Sequence, residues 1–505
     1  MRVLITASGI QDYIFNISKS KASARLRGRS ALLGLVTDLC LLRLKQEFGV
    51  KVEEKRNAGS RLEVEIAADD TAVKKYLNLL RQELDQYARG KLDGQVWFAI
   101  AEAGPAEDIH GHLADRKLRS GQAALQNDNG WNENAFTFDR SSDERALEER
   151  EADNAAKEPD ADLGTKLAHT ENTLIEFRPG PEKGATPRIL DCNISVSKGP
   201  AKLTVQFFGA DGALLQETRK RMARHAPISP GEYRLLDLDE IAEEASGAKF
   251  LGVLKADLDN LGSTTLSQDL SRELEGLFTE QLESLMKPDY PLCYIVYSGG
   301  DDLFILGPWD QLVRFIAAFQ VKLEESVAQW KLARRLAPDA QLTLSAGFKL
   351  AHPKSPVRYL AEDVEAALEQ AKGRGAAETG LHAKNRITIF ERALLWEDLR
   401  QGLKLADRFI LALDPKAREL TSGFLQRMQY YADQFRWFEA GHIEGLRMAP
   451  LLQDDWRRNR KQIEESLQKD LEGRIVMMLR PLDPEASTQW RVMDFASRFA
   501  LYAAR

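Results

Sequence analysis

The chain has 505 residues, 43% of them hydrophobic, which suffices for several domains with cores of their own. A formal net charge of -7 excludes a globally basic nucleic-acid binder, though not local basic patches. Cys40, Cys192 and Cys293 are scattered and never in a Cys-x-x-Cys spacing, so neither a disulfide framework nor a zinc ribbon is supported and a reducing cytoplasm fits. The sequence has no basic-then-apolar leader and no apolar run long enough to span a bilayer.

The first predicted element is a short strand, Val3 to Thr6, followed by Ser8-Gly-Ile-Gln-Asp-Tyr-Ile-Phe15. A basic loop, Lys19 to Ser30, comes next, and an apolar-periodic helix then runs to about Phe48. Arg25, Arg27, Arg29 and Ser30 would cradle phosphates in that loop, or would form a solvated basic surface beside a helix start. Val50 to Glu54 and Arg61 to Ala67 alternate like a hairpin closed by Asn57-Ala-Gly-Ser60. A helix from about Thr71 to Ala88, capped by Asp70, and a strand from Gln95 to Ala101 complete this part.

From about Gly104 to Ala248 the pattern weakens. Ser141 to Asp162 is rich in Glu, Asp, Arg and Ala and reads as a solvated helix or mobile loop. His110 and His112 have no cysteine or further histidine nearby, and do not make a metal site. Pro179, Gly180, Pro181, Pro227, Pro230 and Gly231 mark joints in the segment.

A second run of elements follows in the same order as the first. Phe250-Leu-Gly-Val-Leu-Lys-Ala-Asp-Leu-Asp-Asn-Leu-Gly262 reads as a mid-sheet strand that ends abruptly in acids. Next come a helix near Leu266 to Met286, two apolar runs around Ser298-Gly-Gly-Asp-Asp302, a helix near Trp309 to Trp330, and the strand Leu342 to Leu350. We infer a duplicated α/β unit in which Asn57-Ala-Gly-Ser60 stands where the second copy has Gly299-Gly-Asp-Asp302. The carboxylates are confined to the second copy, so the first reads as a structural and substrate-binding partner.

Asp257 and Asp259 are two apart on a strand and share a face. If their strand pairs with the hairpin, Asp301 and Asp302 join them at one end of a sheet. Two carboxylates about 4 Å apart repel by roughly 4 kcal/mol at an effective dielectric near 20, so such a cluster calls for cations. Hard oxygen ligands suit Mg²⁺ or Mn²⁺, and two such ions serve phosphoryl or nucleotidyl transfer. A solvated Gly-Gly-Asp-Asp turn is the plainer alternative, and the acid pair on the buried strand weighs against it.

Farther on, Ser355-Pro356 starts a helix with a cap and a first-turn proline, ending near Lys372. After the loop Gly373 to Gly380, Lys384-Asn-Arg-Ile-Thr-Ile-Phe390 reads as an edge strand. Lys372 or Lys384 would neutralise a triphosphate, or be plain surface. Beyond Ala393 the pattern is helical, a bundle for docking partners, in which Trp456-Arg-Arg-Asn-Arg-Lys461 reads as an RNA-facing patch or a solvated helix face.

On these residues the chain resembles the large palm-domain subunit of type III CRISPR effector complexes, of the Csm or Cmr kind. The matching segments are Ser8 to Phe15, Leu26-Arg-Gly-Arg-Ser30, Leu251 to Gly262, Ser298 to Asp302, Ser345-Ala-Gly347, His352-Pro353 and Lys384-Asn385. The resemblance implies an α+β, or α/β, multidomain chain. Its expected parts are a degenerate ferredoxin-like palm (1–104), an intervening small domain (105–248), a second palm with Gly-Gly-Asp-Asp (249–392) and a helical bundle (393–505). It implies a nucleotidyltransferase that converts ATP into cyclic oligoadenylates when its complex captures target RNA.

The resemblance assigns catalysis to Asp257, Asp301 and Asp302, which with Asp259 would hold two Mg²⁺ or Mn²⁺ ions. Ser298, Gly299, Gly300, Asn260, Leu261, Gly262, Ser30 and Lys384 would border the nucleotide. Implied partners are the small subunit, the RNA-binding backbone subunits, guide RNA and target RNA, with no membrane. Two departures shape the expectation. The family often carries an HD phosphohydrolase domain, but this sequence starts at the palm strand and has no His-Asp dipeptide, so no DNase activity is expected. Cys192 stands alone between the palms where the family commonly has a cysteine-rich element, so no structural zinc is expected. A silent scaffold of the ribonucleoprotein and a stand-alone GGDEF-like cyclic dinucleotide synthase are the alternatives.

Overall fold

The computed structural model describes residues 1–15, 17, 22–58, 61–91, 96–104, 107–109, 111–117, 173–179, 192–198, 204–208, 212–219, 225–229, 235–261, 264, 267–299, 302–373, 384–417 and 419–505. Its chain is a mixed α+β, multidomain one, built on two sheets of related topology.

The first sheet has the order β2-β3-β1-β4, from β1 (Arg2–Ser8), β2 (Val52–Ala58), β3 (Arg61–Ile66) and β4 (Trp97–Ala103). α1 (Ile10–Phe15) and α2 (Ala22–Phe48) lie between β1 and β2, and α3 (Asp70–Lys91) between β3 and β4. One face of β1, with Val3, Ile5 and Ala7, joins a core with Val36, Leu39, Val73 and Leu77. Leu4 on the opposite face packs with Ala99, Ala101, Ile109 and Leu113. At the start of α3 the Asp69 side chain, not Asp70, accepts the Ala72 N–H at 2.9 Å, because the helix begins one residue earlier than a cap at Asp70 requires.

The second sheet repeats that order and extends it. Its strands run β10-β11-β9-β12-β13-β14, with β9 (Leu251–Asp259), β10 (Tyr294–Gly299), β11 (Asp302–Pro308), β12 (Thr343–Ala351), β13 (Arg386–Ile389) and β14 (Arg392–Leu395). β10-β11-β9-β12 matches β2-β3-β1-β4 strand for strand. β13 is not an edge strand, since it pairs parallel to β12 and antiparallel to β14. The two-residue turn between β13 and β14 holds Phe390 and Glu391 at φ 50° and 64°, the left-handed conformation tight hairpins demand.

α4 (Leu238–Glu243) precedes this sheet. Between β9 and β10 run α5 (Gln268–Gly276), a π-helical turn (Leu277–Gln281) and α6 (Leu282–Asp289); α7 (Trp309–Leu332) links β11 to β12. These helices bury Leu254, Ala256 and Leu258 on one face of β9. α8 (Val357–Ala371) covers the other face, with Pro356 at the cap position rather than in the first turn. Gly347 permits that cover, because a Cβ there would lie 2.4 Å from the Leu368 nitrogen and 2.5 Å from the Val364 carbonyl.

A third sheet, order β6-β5-β7-β8, occupies part of the segment that the sequence pattern left unassigned. It comprises β5 (Thr173–Pro179), β6 (Cys192–Lys198), β7 (Thr204–Phe208) and β8 (Leu214–Arg219). The acidic stretch at 141–162, His110, Gly180, Pro181, Pro230 and Gly231 lie outside the described residues. The carboxy-terminal part is a bundle of α9 (Trp396–Leu413), α10 (Ser422–Glu439), α11 (Met448–Asn459), α12 (Glu465–Met478) and α13 (Pro484–Ala503). It shares one continuous core with the second sheet, and Trp396 donates its indole N–H to the Leu344 carbonyl at 2.9 Å.

The two units are in direct contact. Phe15 packs on Phe304, ring centroids 4.4 Å apart, and Tyr294 donates its hydroxyl to the Ser23 carbonyl at 2.8 Å. Residues 22–30 are the start of α2, not a basic loop. Arg29 is spent within the first unit, donating to the Tyr13 carbonyl at 2.6 Å. Arg27 is buried near Tyr294 and Glu283, and burial pulls its pKa below the usual arginine value despite both. Two of the three arginines expected to cradle phosphate are therefore built into the packing.

Candidate active site

Strand register brings the acids together. β9 lies between β11 and β12, and Asp257 is the direct partner of Asp302 on one side and of Ser345 on the other. Opposed residues on antiparallel strands have their Cβ atoms about 5 Å apart, so two carboxylates in that position repel. Asp301, Gly300 and Gly262 lie outside the described residues. Among the described residues no group of three or more His, Cys, Asp or Glu side chains forms a metal cage.

The charge is partly met by Lys372, which caps the C-terminal end of α8 and sets its Nζ 2.8 Å from Asp257 Oδ2. Two residues back on the same face of β9, buried Lys255 pairs with Glu365 of α8. Glu365 and Lys372 are seven apart, close to two helical turns, so one face of α8 meets one face of β9 through two ion pairs of opposite polarity.

Asp259 has different surroundings from those expected of a metal ligand. It is buried, 2% exposed, and its carboxylate accepts from Thr343 Oγ1 at 2.8 Å, from Ser345 Oγ at 2.9 Å and from the Asn385 N–H at 3.1 Å. Those donors occupy most of a carboxylate's acceptor positions. The consequence is geometric, because Lys384 and Asn385 are held at φ 77° and 52° and Asn260 at 64°, a left-handed conformation that asparagine tolerates and that is costly for Lys384. Lys384 Nζ donates to Asn260 Oδ1 at 2.6 Å, and Asn260 Nδ2 to the Gln341 carbonyl at 2.8 Å. Leu261 follows, half-buried, with its carbonyl accepting from the Thr264 N–H at 3.1 Å.

Ser298 is the partner of Leu303 and donates its hydroxyl to the Phe278 carbonyl in the π-helical turn, 2.5 Å away. That bond fastens the β10–β11 hairpin to the preceding helix, and Gly299 is the partner of Asp302. Ser30 is half-buried on α2, in the first unit. Thr343 and Ser345 were not singled out as site residues; their polar side chains at alternate positions of an otherwise apolar strand are the signal that could have found them.

Other sequence candidates fall elsewhere. Trp456 is buried in the bundle, while Arg457, Arg458 and Arg460 pair with Asp454 and Glu472. A cavity of about 500 Å³ between the β13–β14 hairpin and α10 and α13 is removed from the acids, and Arg392 and Arg498, which line it, are paired with Asp433 and Asp494. Cys40 and Cys293 are buried thiols whose pKa values burial raises, Cys40 to about 12, which makes both poor nucleophiles.

Two sheets of order β2-β3-β1-β4, one carrying paired acids across its central strands, define a palm-type chain. Residues 250–386 match the family described as Cas10/Cmr2, second palm domain, and residues 3–111 match Csm1 subunit domain B. The chain is thus similar to Cas10 and Csm1 proteins over these two segments. It is 23% identical over 459 residues to the "CRISPR system single-strand-specific deoxyribonuclease Cas10/Csm1 (subtype III-A)" of Mycobacterium tuberculosis, and 24% identical over 446 residues to that of Thermococcus onnurineus. Those alignments cover 78% and 76% of this chain and 54% of each relative, so the chain spans about half the length of the curated relatives it matches. Among solved structures, the Csm1-Csm4 cassette in complex with one ATP superposes with a TM-score of 0.70 at 17% identity, over 100% of this chain and 70% of the other. The cassette in complex with cA4 gives 0.64 at 16% identity, with the same coverages. Among the described residues no helix is long and apolar enough to cross a membrane.

Proposed function

We propose that this chain is the large subunit of a type III CRISPR effector and converts ATP into cyclic oligoadenylates once target RNA is captured. The observation that carries the reading is the direct pairing of Asp257 with Asp302 across β9 and β11, with the Lys372 ammonium beside Asp257. Like charges placed opposite one another weaken a sheet, and a site for cations gives them a reason to be there. Solved relatives with the same fold are described in complex with ATP, pppApApA, cA3 and cA4, which fits ATP as substrate and cyclic adenylates as product.

In this reading residues 249–392 are the catalytic palm, 1–104 its degenerate partner, 105–248 a small domain and 393–505 a helical docking domain. Oxygen donors from Asp257 and Asp302, joined by Asp301, fit Mg²⁺ or Mn²⁺. When bound, such ions supply Lewis-acid stabilisation of charge at the transferring phosphorus. The 3′-hydroxyl of one ATP attacks the α-phosphate of another, pyrophosphate leaves, and repetition with ring closure gives the product. Asp259 is a positioning residue that shapes the Lys384-Asn385 turn and the Asn260 corner, so that Lys384, Asn260, Leu261 and Gly262 border the nucleotide. Ser298 anchors the hairpin, and Gly299 and Gly300 leave room for a close backbone approach. Ser30 would act from the first unit.

Partners in this reading are a Csm4-like subunit, the small and backbone subunits, guide RNA and target RNA, in the cytoplasm. The deoxyribonuclease activity named for the relatives is not part of this reading. The test is incubation of the chain, alone and in its RNA-bearing complex, with ATP and Mg²⁺ or Mn²⁺, followed by mass spectrometry. Cyclic adenylates are expected, and should disappear in Asp301→Ala plus Asp302→Ala. Product persisting in that double variant rejects the site. A dinucleotide product drawn from guanosine triphosphate favours the GGDEF-like alternative, and no product under any condition favours the scaffold.

A further inference from the structure

We propose that the cavity between the β13–β14 hairpin and helices α10 and α13 is a binding site for a small anion with a flat aromatic body, its charge held by Arg491 and Arg498 of α13. The volume of about 500 Å³ falls in the range of roughly 300–1,000 Å³ that small-ligand pockets occupy. Phe390, Phe435, Trp490 and Phe495 supply aromatic walls. Neither Asp257 nor Asp302 lines the cavity, so the site stands apart from the reading of those acids as a catalytic pair.

Arg491 and Arg498 are seven residues apart on α13, close to two turns, and so lie on one face of the helix about 10 Å apart along its axis. Each is fixed through Nε to a buried aspartate. Arg491 donates to Asp398 Oδ2 at 2.6 Å and Arg498 to Asp494 Oδ1 at 2.8 Å. Arg491 also donates Nη2 to Thr488 Oγ1 at 3.0 Å, and Arg498 Nη2 stands 3.9 Å from Asp433 Oδ1. Among the described residues the two side chains make no other hydrogen bond, which leaves Arg491 Nη1 and both terminal nitrogens of Arg498 with protons to donate. With side chains 21% and 22% exposed, both are reachable yet sheltered.

The acids already present do not fill this role. Four arginines, Arg392, Arg436, Arg491 and Arg498, line the cavity against two carboxylates, Asp494 and Glu439. Asp494 holds Arg498, and Glu439 accepts from the Ser487 hydroxyl. Asp398 and Asp433 hold arginines without lining the cavity. Charge therefore balances across the region while donors predominate on the wall, and what the wall lacks is an acceptor. A carboxylate or phosphate supplies one, through charge-assisted bonds to planar guanidinium groups. A flat ring joined to that anion fits among the aromatic side chains.

The test is isothermal titration calorimetry of the full chain, without divalent ions, against 2-naphthoate and adenosine 5′-monophosphate, which carry a carboxylate and a phosphate on flat rings. 2-Naphthalenemethanol and adenosine serve as their uncharged counterparts. At least one anion should bind about tenfold or more tightly than its counterpart, and which one does so separates carboxylate from phosphate. Arg491→Gln and Arg498→Gln should each weaken that binding by about tenfold, the scale of a hydrogen bond to a charged group. Ala440→Trp, at an exposed lining position that leaves every arginine pair in place, should abolish it. That variant keeps the test decisive if removing a guanidinium from its buried aspartate prevents folding. Uncharged counterparts that bind as well as the anions overturn the proposal, as does anion binding that survives Ala440→Trp. Failure of both anions to bind at millimolar concentration overturns it too, and leaves the nucleotidyl-transfer reading untouched.

Discussion

The two palm-like sheets share a strand order and differ at the few positions that matter. Thr6 is opposite Arg61 in the first sheet as Asp257 is opposite Asp302 in the second. By the same register Ser8 stands where Asp259 does, Ala99 where Ser345 does and Ala101 where Gly347 does. A hydroxyl and a guanidinium therefore occupy the row that holds two carboxylates in the other copy. Fold and side-chain chemistry have separated: the apolar alternation that builds the sheet is kept in both copies, and the opposed carboxylates reside in one.

The correspondence also corrects the alignment drawn from sequence. Ala58, not Asn57, stands at Gly299, and Arg61, not Ser60, stands at Asp302. Asn57 is instead the counterpart of Ser298, and both fasten their hairpin to the preceding helix, Asn57 by a 2.7 Å bond to Asp38.

The sharpest way to break this comparison is to disarm each row in turn. Asp257→Asn should cut cyclic product by about 100-fold or more, since losing a metal ligand forfeits several kcal/mol at about 1.4 kcal/mol per tenfold. Thr6→Val, its counterpart, should change product less than about twofold, because Thr6 is buried in the first sheet and opposes no carboxylate there. Comparable losses from both, measured by mass spectrometry of products, would mean that the first sheet shares the chemistry.

Asp259→Ala tests the positioning role. It leaves the Thr343 and Ser345 hydroxyls and the Asn385 N–H without their acceptor, and buried donors so stranded cost about 1–3 kcal/mol each. A stability loss of about 3 kcal/mol in urea unfolding is expected, together with reduced activity. Intact stability with lost activity would instead favour Asp259 as a direct ligand.

A smaller effect separates the covers of the two sheets. Gly347→Ala should destabilise by about 2–3 kcal/mol, because the added carbon meets the backbone of α8 and overpacked sites respond on that scale. Ala101→Gly, the reverse exchange at the matching position, should cost under about 1 kcal/mol. Equal costs in the same unfolding assay would show that α8 does not press on the sheet as closely as the distances say.

Much of this architecture is legible in the sequence because alternation and acid placement are local properties. Phe250 to Gly262 declares a buried strand ending in carboxylates, and Ser298 to Asp302 declares a hairpin. What escapes is whatever depends on register between distant strands. Thr343 and Ser345 close on Asp259 across more than eighty residues of chain, and a one-residue slip reverses which side chains meet. Lys372 reads equally well as surface until α8 is laid on β9. The third sheet escaped because its strands lie in a polar, weakly patterned stretch.

The π-helical turn at Leu277–Gln281 carries a constraint on how this gene can lengthen or shorten. Each residue of a regular helix advances the side chains by about 100°. Deleting one residue there would wind the turn into ordinary helix and swivel Leu270 and Leu274 away from the interior while Leu282 and Met286 stayed aimed at it. It would also move the carbonyl that receives Ser298. Single-residue deletions should therefore be rejected at this point in the chain far more strictly than point substitutions on the helix's outer side.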